Sequence, residues 1–182
     1  MRRFLHIVAI GGLVAVAVSV AVTAQAPAPP AKPGPEVQKL AYFVGSWKYE
    51  GETKPGDFGP AGKFTGEETC DWFTGGFQVV CHSNEASAIG KSTGMSVMAY
   101  NAEEKIYTFY SISSRGENFH GSATFTGSTM TITWEGNMGG KPAKVRGTIM
   151  QASPTSYTFK MEGSTGGGPW VTVGEGKETK VK

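Results

Sequence analysis

The chain has 182 residues, 39% of them apolar and 18% charged, with 17 basic against 15 acidic side chains. Arg2 and Arg3 supply that excess, so a chain without its first segment is formally neutral. Neutrality argues against a nucleic-acid partner, which requires a basic stripe that this sequence lacks, and the remaining length is that of one domain able to bury a core.

The N-terminus reads as an export signal over residues 1–24. Arg2 and Arg3 form a positive start, and Phe4 to Val22 is almost wholly apolar without an acidic residue. Val22-Thr23-Ala24 offers a cleavage site after Ala24, and Ala24-Gln25-Ala26 a second one. Because ~20 apolar residues can span a bilayer, a retained membrane anchor is the alternative. Gly11-Gly12 weakens a spanning helix, and no cysteine near the cleavage site indicates a lipid anchor. The expected location is periplasmic or extracellular, with no membrane contact after cleavage. Residues 25–34 are a Pro/Ala-rich spacer, and 35–182 the folded domain.

Val37, Leu40, Ala41 and Val44 recur at helical spacing until Gly45 breaks the period and Trp47 opens an extended segment. A short helical plug followed by a strand bearing a large aromatic closes one end of a small antiparallel barrel. Strands are then expected at Trp47 to Glu52, Lys63 to Phe73, Phe77 to Ser83, Met95 to Tyr100 and Ile106 to Ile112. Phe119 to Thr126, Thr129 to Glu135, Ala143 to Met150, Tyr157 to Lys160 and Trp170 to Glu175 complete the series. Met130, Ile132 and Trp134 alternate with Thr129, Thr131 and Thr133 at the strand period. Glycine-rich turns separate the segments. The pattern is all-β: a single antiparallel up-and-down barrel of about ten strands with a short N-terminal helix, closed because closure removes sheet edges.

Cys70 and Cys81 are equidistant from Gly75-Gly76, so a hairpin turning there sets them opposite each other on neighbouring strands. With an export signal, a disulfide worth ~3 kcal/mol follows. A two-residue turn would put the pair at a hydrogen-bonded position, and a four-residue loop at the closer, non-hydrogen-bonded kind. The spacing is neither C-x-x-C nor part of a ligand cluster, which disfavours a metal or redox role.

LAYFVGSW (40–47), WFTGGFQVV (72–80) and GMSVMAYNAEEKIYTFYSIS (94–113) resemble an exported bacterial group, domain-of-unknown-function family 1579. More distantly, Gly45-x-Trp47 is similar to the signature of the calycins, the lipocalin and fatty-acid-binding-protein kind of barrel. The resemblance covers Pro35 to about Gly176 and implies the barrel fold. The family has no assigned function, so it lends no catalytic residues.

Catalytic motifs are weak. Gly90-Lys91-Ser92-Thr93-Gly94 has the letters of a nucleophile elbow or the end of a phosphate loop, yet no helix follows, and it reads as a turn leading into a strand. His82 and His120 read as solvent-facing strand histidines. Cavity-facing metal or haem ligands are the alternative. Some calycin-like haem barrels use a histidine late in the chain, and none follows His120. Glu67-Glu68 and Glu103-Glu104 are adjacent pairs whose side chains diverge, read as solvated edges and turns. Glu135 and Arg146 are on neighbouring strands and are read as a surface ion pair. The alternative is an inward arginine receiving a carboxylate, for which Arg115, in a Ser-Arg-Gly turn, is less suited.

Aromatics supply the better clue. Trp47, Tyr100, Tyr107, Phe109, Trp134 and Tyr157, with Arg146, are the candidate ligand-binding residues of an apolar pocket with polar handles. Plain core filling is the competing reading. The expected function is therefore non-catalytic binding of a small, largely apolar molecule, with no metal and no cofactor. An envelope scaffold with a packed barrel is the alternative. A cofactor-free isomerase or cyclase would require a titrating Glu or His inside the cavity.

Overall fold

A computed structural model describes residues 32–138 and 140–181. The expected export signal (1–24) and most of the spacer lie outside the described residues. Among the described residues no helix is long and apolar enough to cross a membrane.

The domain opens with α1 (Pro35–Gln38), which starts on a proline and runs into a 3-10 turn, Lys39–Phe43. Proline suits a first helical position, where its missing N–H is no loss. The turn ends at Val44, which is extended, and Gly45 adopts φ 124° as the first residue of the first strand.

Ten strands follow: β1 (Gly45–Thr53), β2 (Gly62–Trp72), β3 (Gln78–Ser87), β4 (Gly90–Asn101) and β5 (Ile106–Ser113). The second half is β6 (Asn118–Thr126), β7 (Thr129–Met138), β8 (Lys141–Ser153), β9 (Ser156–Thr165) and β10 (Val171–Lys180). Each strand pairs antiparallel with its neighbours in sequence. β1 and β10 then join along Trp47–Lys180 to Thr53–Gly174, closing the barrel. The expected up-and-down barrel with a short N-terminal helix is the observed fold.

Several strands run longer than expected, β3 to Ser87 and β9 to Thr165 among them, and two segments differ most in kind. Gly90 to Gly94, read as a turn, lies inside β4, paired with Ser83 to Ser87 of β3. β10 runs to Lys180, well past Glu175, because its partners on β1 and β9 hold it in the ladder although its inward positions include Gly174, Gly176 and Glu178.

The cystine hairpin takes the four-residue form. Phe73 N–H donates to Gln78 O at 2.8 Å, leaving residues 74–77 as the loop. Counting back, Cys70 and Cys81 fall at a non-hydrogen-bonded pair, with Cα atoms 4.0 Å apart, and they form the disulfide.

One end of the barrel is packed. Leu40 and Phe43 of the plug join Trp47, the Cys70–Cys81 bridge, Val79, Met98, Tyr107, Ala123, Met130, Ile132 and Tyr157 in one buried cluster, and Val37 of α1 is buried too. Trp47 Nε1 donates to Phe43 O at 2.7 Å, so the plug and the first strand share one buried polar bond. Tyr107 Oη reaches Glu36 O at 2.9 Å and Glu36 Oε2 at 2.7 Å, tying β5 to α1. Tyr42 Oη donates to Ser153 O or Ser156 O, fastening the plug to the β8–β9 turn.

Candidate functional site

Strand register determines what faces the lumen. Starting from Trp47, the inward set on β1 and β2 is Trp47, Tyr49 and Gly51 beside Glu68, Gly66 and Phe64. Across β3 to β5 it continues with Glu85, Ser83 and Cys81, then Gly94, Ser96 and Met98, then Ser113, Ser111 and Phe109. On β6 and β7 it is Phe119 and Gly121 with Trp134 and Ile132. On β8 to β10 it is Val145, Gly147 and Ile149, then Met161, Phe159 and Tyr157, then Gly174, Gly176 and Glu178.

The wall formed by β1, β2, β9 and β10 is filled. A Cβ on Gly66 would lie 2.2 Å from the Tyr49 ring, and one on Gly176 would lie 2.5 Å from Phe159. These positions lack side chains because the aromatic of the adjacent strand occupies that space. Phe64 and Phe159 stack with ring centroids 6.0 Å apart.

The opposite wall is built differently. Ser83, Ser96 and Ser111 face inward on β3, β4 and β5, with Phe109, Phe119 and Trp134 beyond them on β5 to β7. All six are only half-buried although their register turns them from the outer surface. Phe119 and Trp134 have ring centroids 5.9 Å apart. The result is a lumen with a hydroxyl wall and an aromatic wall. At the end away from the plug, Phe58 of the β1–β2 loop covers Gly163, and Asp57 accepts from Thr165 at 2.7 Å. There Arg115 ion-pairs with Glu85 at 3.4 Å.

Besides Glu85, which Arg115 pairs, two carboxyls point into this interior. Glu178 is buried, 5% exposed, and opposes Tyr49. Tyr157 Oη donates to Glu178 Oε2, whereas Glu178 Oε1 is buried with no hydrogen-bond partner. Glu68, opposite Trp47, is ringed by protein yet keeps accessible surface. Among the described residues, neither carboxyl has an ion-pair partner. Desolvation raises Glu68 to about 8, helped by the charge of Glu178. Desolvation also raises Glu178 to about 7, against the opposing hydrogen bond from Tyr157. Burial, then the nearby carboxyls, push Tyr157 well above the usual phenol range, so it remains a donor.

This corrects the reading of Glu67-Glu68 as a solvated pair. Glu67 does face solvent, 3.2 Å from Lys48, whereas Glu68 faces the lumen. Glu68 also lies within 4.8 Å of the Cys70 and Cys81 sulfurs, but these are joined to each other and offer no thiolate.

Of the candidate ligand-binding residues, Trp47, Tyr100, Tyr107, Phe109, Trp134 and Tyr157 face inward. Phe109 and Trp134 are half-buried at inward positions and pack against the core cluster. Trp47, Tyr107 and Tyr157 are buried at the plug, and Tyr100 packs on Tyr107 with centroids 4.9 Å apart. Arg146 lies apart from them, on the outer face. It pairs with Glu162 at 2.7 Å and covers the Trp170 ring at 4.8 Å. The expected Glu135–Arg146 pair is replaced by Glu135–Lys144 at 2.9 Å. Sequence reasoning missed Glu178, Tyr49 and the serine wall. The outer wall carries two open hollows of about 400 and 700 Å³ crossed by ion pairs such as Lys177–Glu50, a solvated surface.

Comparison with known proteins agrees with this architecture. The family described as "Protein of unknown function (DUF1579)" matches residues 32–180. Rv2717c from M. tuberculosis has a similar structure, with a TM-score of 0.61 at 12% identity, covering 83% of this chain and 100% of that one. The S-type phycobiliprotein lyase CPES from Guillardia theta has a TM-score of 0.55 at 13% identity, covering 80% and 92%. Among curated proteins none matches the chain. The chain belongs to the DUF1579 family.

Proposed function

We propose that this DUF1579 member is an exported carrier that holds a small, largely apolar molecule in its barrel without chemical change. One observation carries the reading: Phe109, Phe119, Trp134 and the facing serines hold inward register positions yet are only half-buried, in a barrel whose other end is packed tight. A mostly apolar recess with a few hydroxyl and carboxyl handles is the usual build of a small-molecule site. Export is supported by the Cys70–Cys81 bridge, since such bonds persist in oxidising compartments. CPES, of like fold, is by name a lyase for phycobiliproteins; the carrier reading for this chain rests on its own lumen.

The test is titration of the folded domain with a neutral apolar dye such as Nile red, read by dye emission and by Trp134 quenching. Saturable binding is expected, and Ser96→Phe, which fills the lumen, is expected to abolish it while the circular dichroism stays unchanged. Absence of saturable binding, or binding indifferent to Ser96→Phe, would overturn the reading.

The buried carboxyls favour a second reading, proton-transfer catalysis of the isomerase or cyclase kind. Glu68 and Glu178 meet the requirement for titrating groups inside the barrel, with values near the pH at which general acids and bases work. Turnover would show as loss of a bound substrate's spectrum over time, whereas a carrier returns its ligand unaltered.

A further inference from the structure

We propose that the bound molecule carries a protonated nitrogen, an ammonium or amidinium group on an apolar body, held by Glu68 and the unpaired oxygen of Glu178. The inference rests on the carrier reading and specifies its ligand.

Three features of the lumen floor converge on this chemistry. First, Glu178 Oε1 is fully enclosed, faces inward and has no donor, a condition that costs stability unless something supplies one. Second, Glu68 faces the same interior from the other side of β1 and keeps accessible surface, so a ligand in the lumen reaches it. Third, among the described residues no cation pairs with either carboxyl. Lys180, on the same inward face as Glu178, directs its Nζ to Tyr42 O at 3.5 Å and over the Trp47 ring at 5.0 Å. Arg115 is engaged at the mouth by Glu85 and Glu117.

The remaining groups around the floor also suit a cation. Tyr49, Tyr157 and Tyr42 face it from β1, β9 and the plug, each a phenol shifted upward by burial and so uncharged. Their rings offer faces that attract positive charge, as the Trp47 ring already does for Lys180. A carboxylate ligand meets two acids and no free base. A neutral alcohol can donate to Glu178 Oε1 but brings no charge to balance either acid's ionisation. A protonated nitrogen donates to both carboxyls. As it enters, whichever acid is still protonated ionises and gives its proton to solvent, so uptake of positive charge is accompanied by proton release.

The experiment compares naphthylethylamine, naphthylethanol and naphthylacetate by calorimetry at neutral pH, in two buffers of different ionisation enthalpy. The amine is expected to bind at least about tenfold tighter than the alcohol, the acetate weakest, with proton release reported by the buffer dependence. Glu68→Gln and Glu178→Gln, isosteric with the protonated acids, are expected to lose the preference for amine over alcohol. Equal binding of amine and alcohol would overturn this inference while leaving the carrier reading in place. So would a preference that survives in both variants. Failure of all three probes and of the neutral dye to bind would overturn both.

Discussion

Glu68 and Glu178 are held above the ordinary carboxyl range by desolvation, and this has a signed consequence for stability. The folded barrel retains protons that the unfolded chain releases. Their contribution is complete below the unfolded value of about 4.3 and is lost as pH rises through about 7 and about 8. The surface carboxylates shift the other way: Arg146 and Lys160 lower Glu162, and Lys177 lowers Glu50, so those pairs weaken only in acid. The apo domain is therefore expected to show a falling thermal midpoint from about pH 5 to about pH 9, and the Glu68→Gln/Glu178→Gln double variant to flatten the fall. A wild-type midpoint that rises over that interval would contradict the burial of these groups. Neither residue was legible as a site. Glu67-Glu68 reads as two solvated acids until pairing with Lys48 and Trp47 shows that one faces out and one in. Glu178 lies in Gly174-Glu-Gly-Lys-Glu-Thr-Lys180, where inward glycines erase the apolar alternation that marks a strand.

At the scale of elements, the β2–β3 hairpin and the plug do most to hold the lumen's floor. The disulfide joins β2 to β3 beside Glu68, and Trp47 connects β1 to the plug through Phe43 O. Cys70→Ser/Cys81→Ser is expected to lower the unfolding free energy by about 3 kcal/mol, as read from denaturant titration of oxidised and variant protein. No difference between the two would show that the bridge restrains nothing the ladder does not already restrain. The hairpin was readable because two cysteines placed symmetrically about Gly75-Gly76 define a register by themselves. Gly90 to Gly94 was not, since two glycines and a serine look like a turn. Its place in β4 comes from ten consecutive partners on β3, a tertiary pairing that outweighs weak local preference.

For the molecule as a whole, closure explains why so glycine-rich a chain makes a stable wall. Every strand has two neighbours, so no edge is left to pair with another chain. Glycines at Gly51, Gly66 and Gly176 admit Phe64, Tyr49 and Phe159 on one side, while Ser83, Ser96 and Ser111 line the other. Strand number, closure and the plug were visible in the turn spacing and in Leu40 to Trp47. The division of the lumen into a filled wall and a serine-lined one was not, because it depends on which strands lie across from each other. The measurement that bears most directly on the carrier account is native mass spectrometry of the chain purified from its own compartment without denaturation. The account predicts a reproducible excess mass that leaves on unfolding and belongs to a compact apolar molecule containing a basic nitrogen. A mass equal to the oxidised polypeptide alone would contradict it.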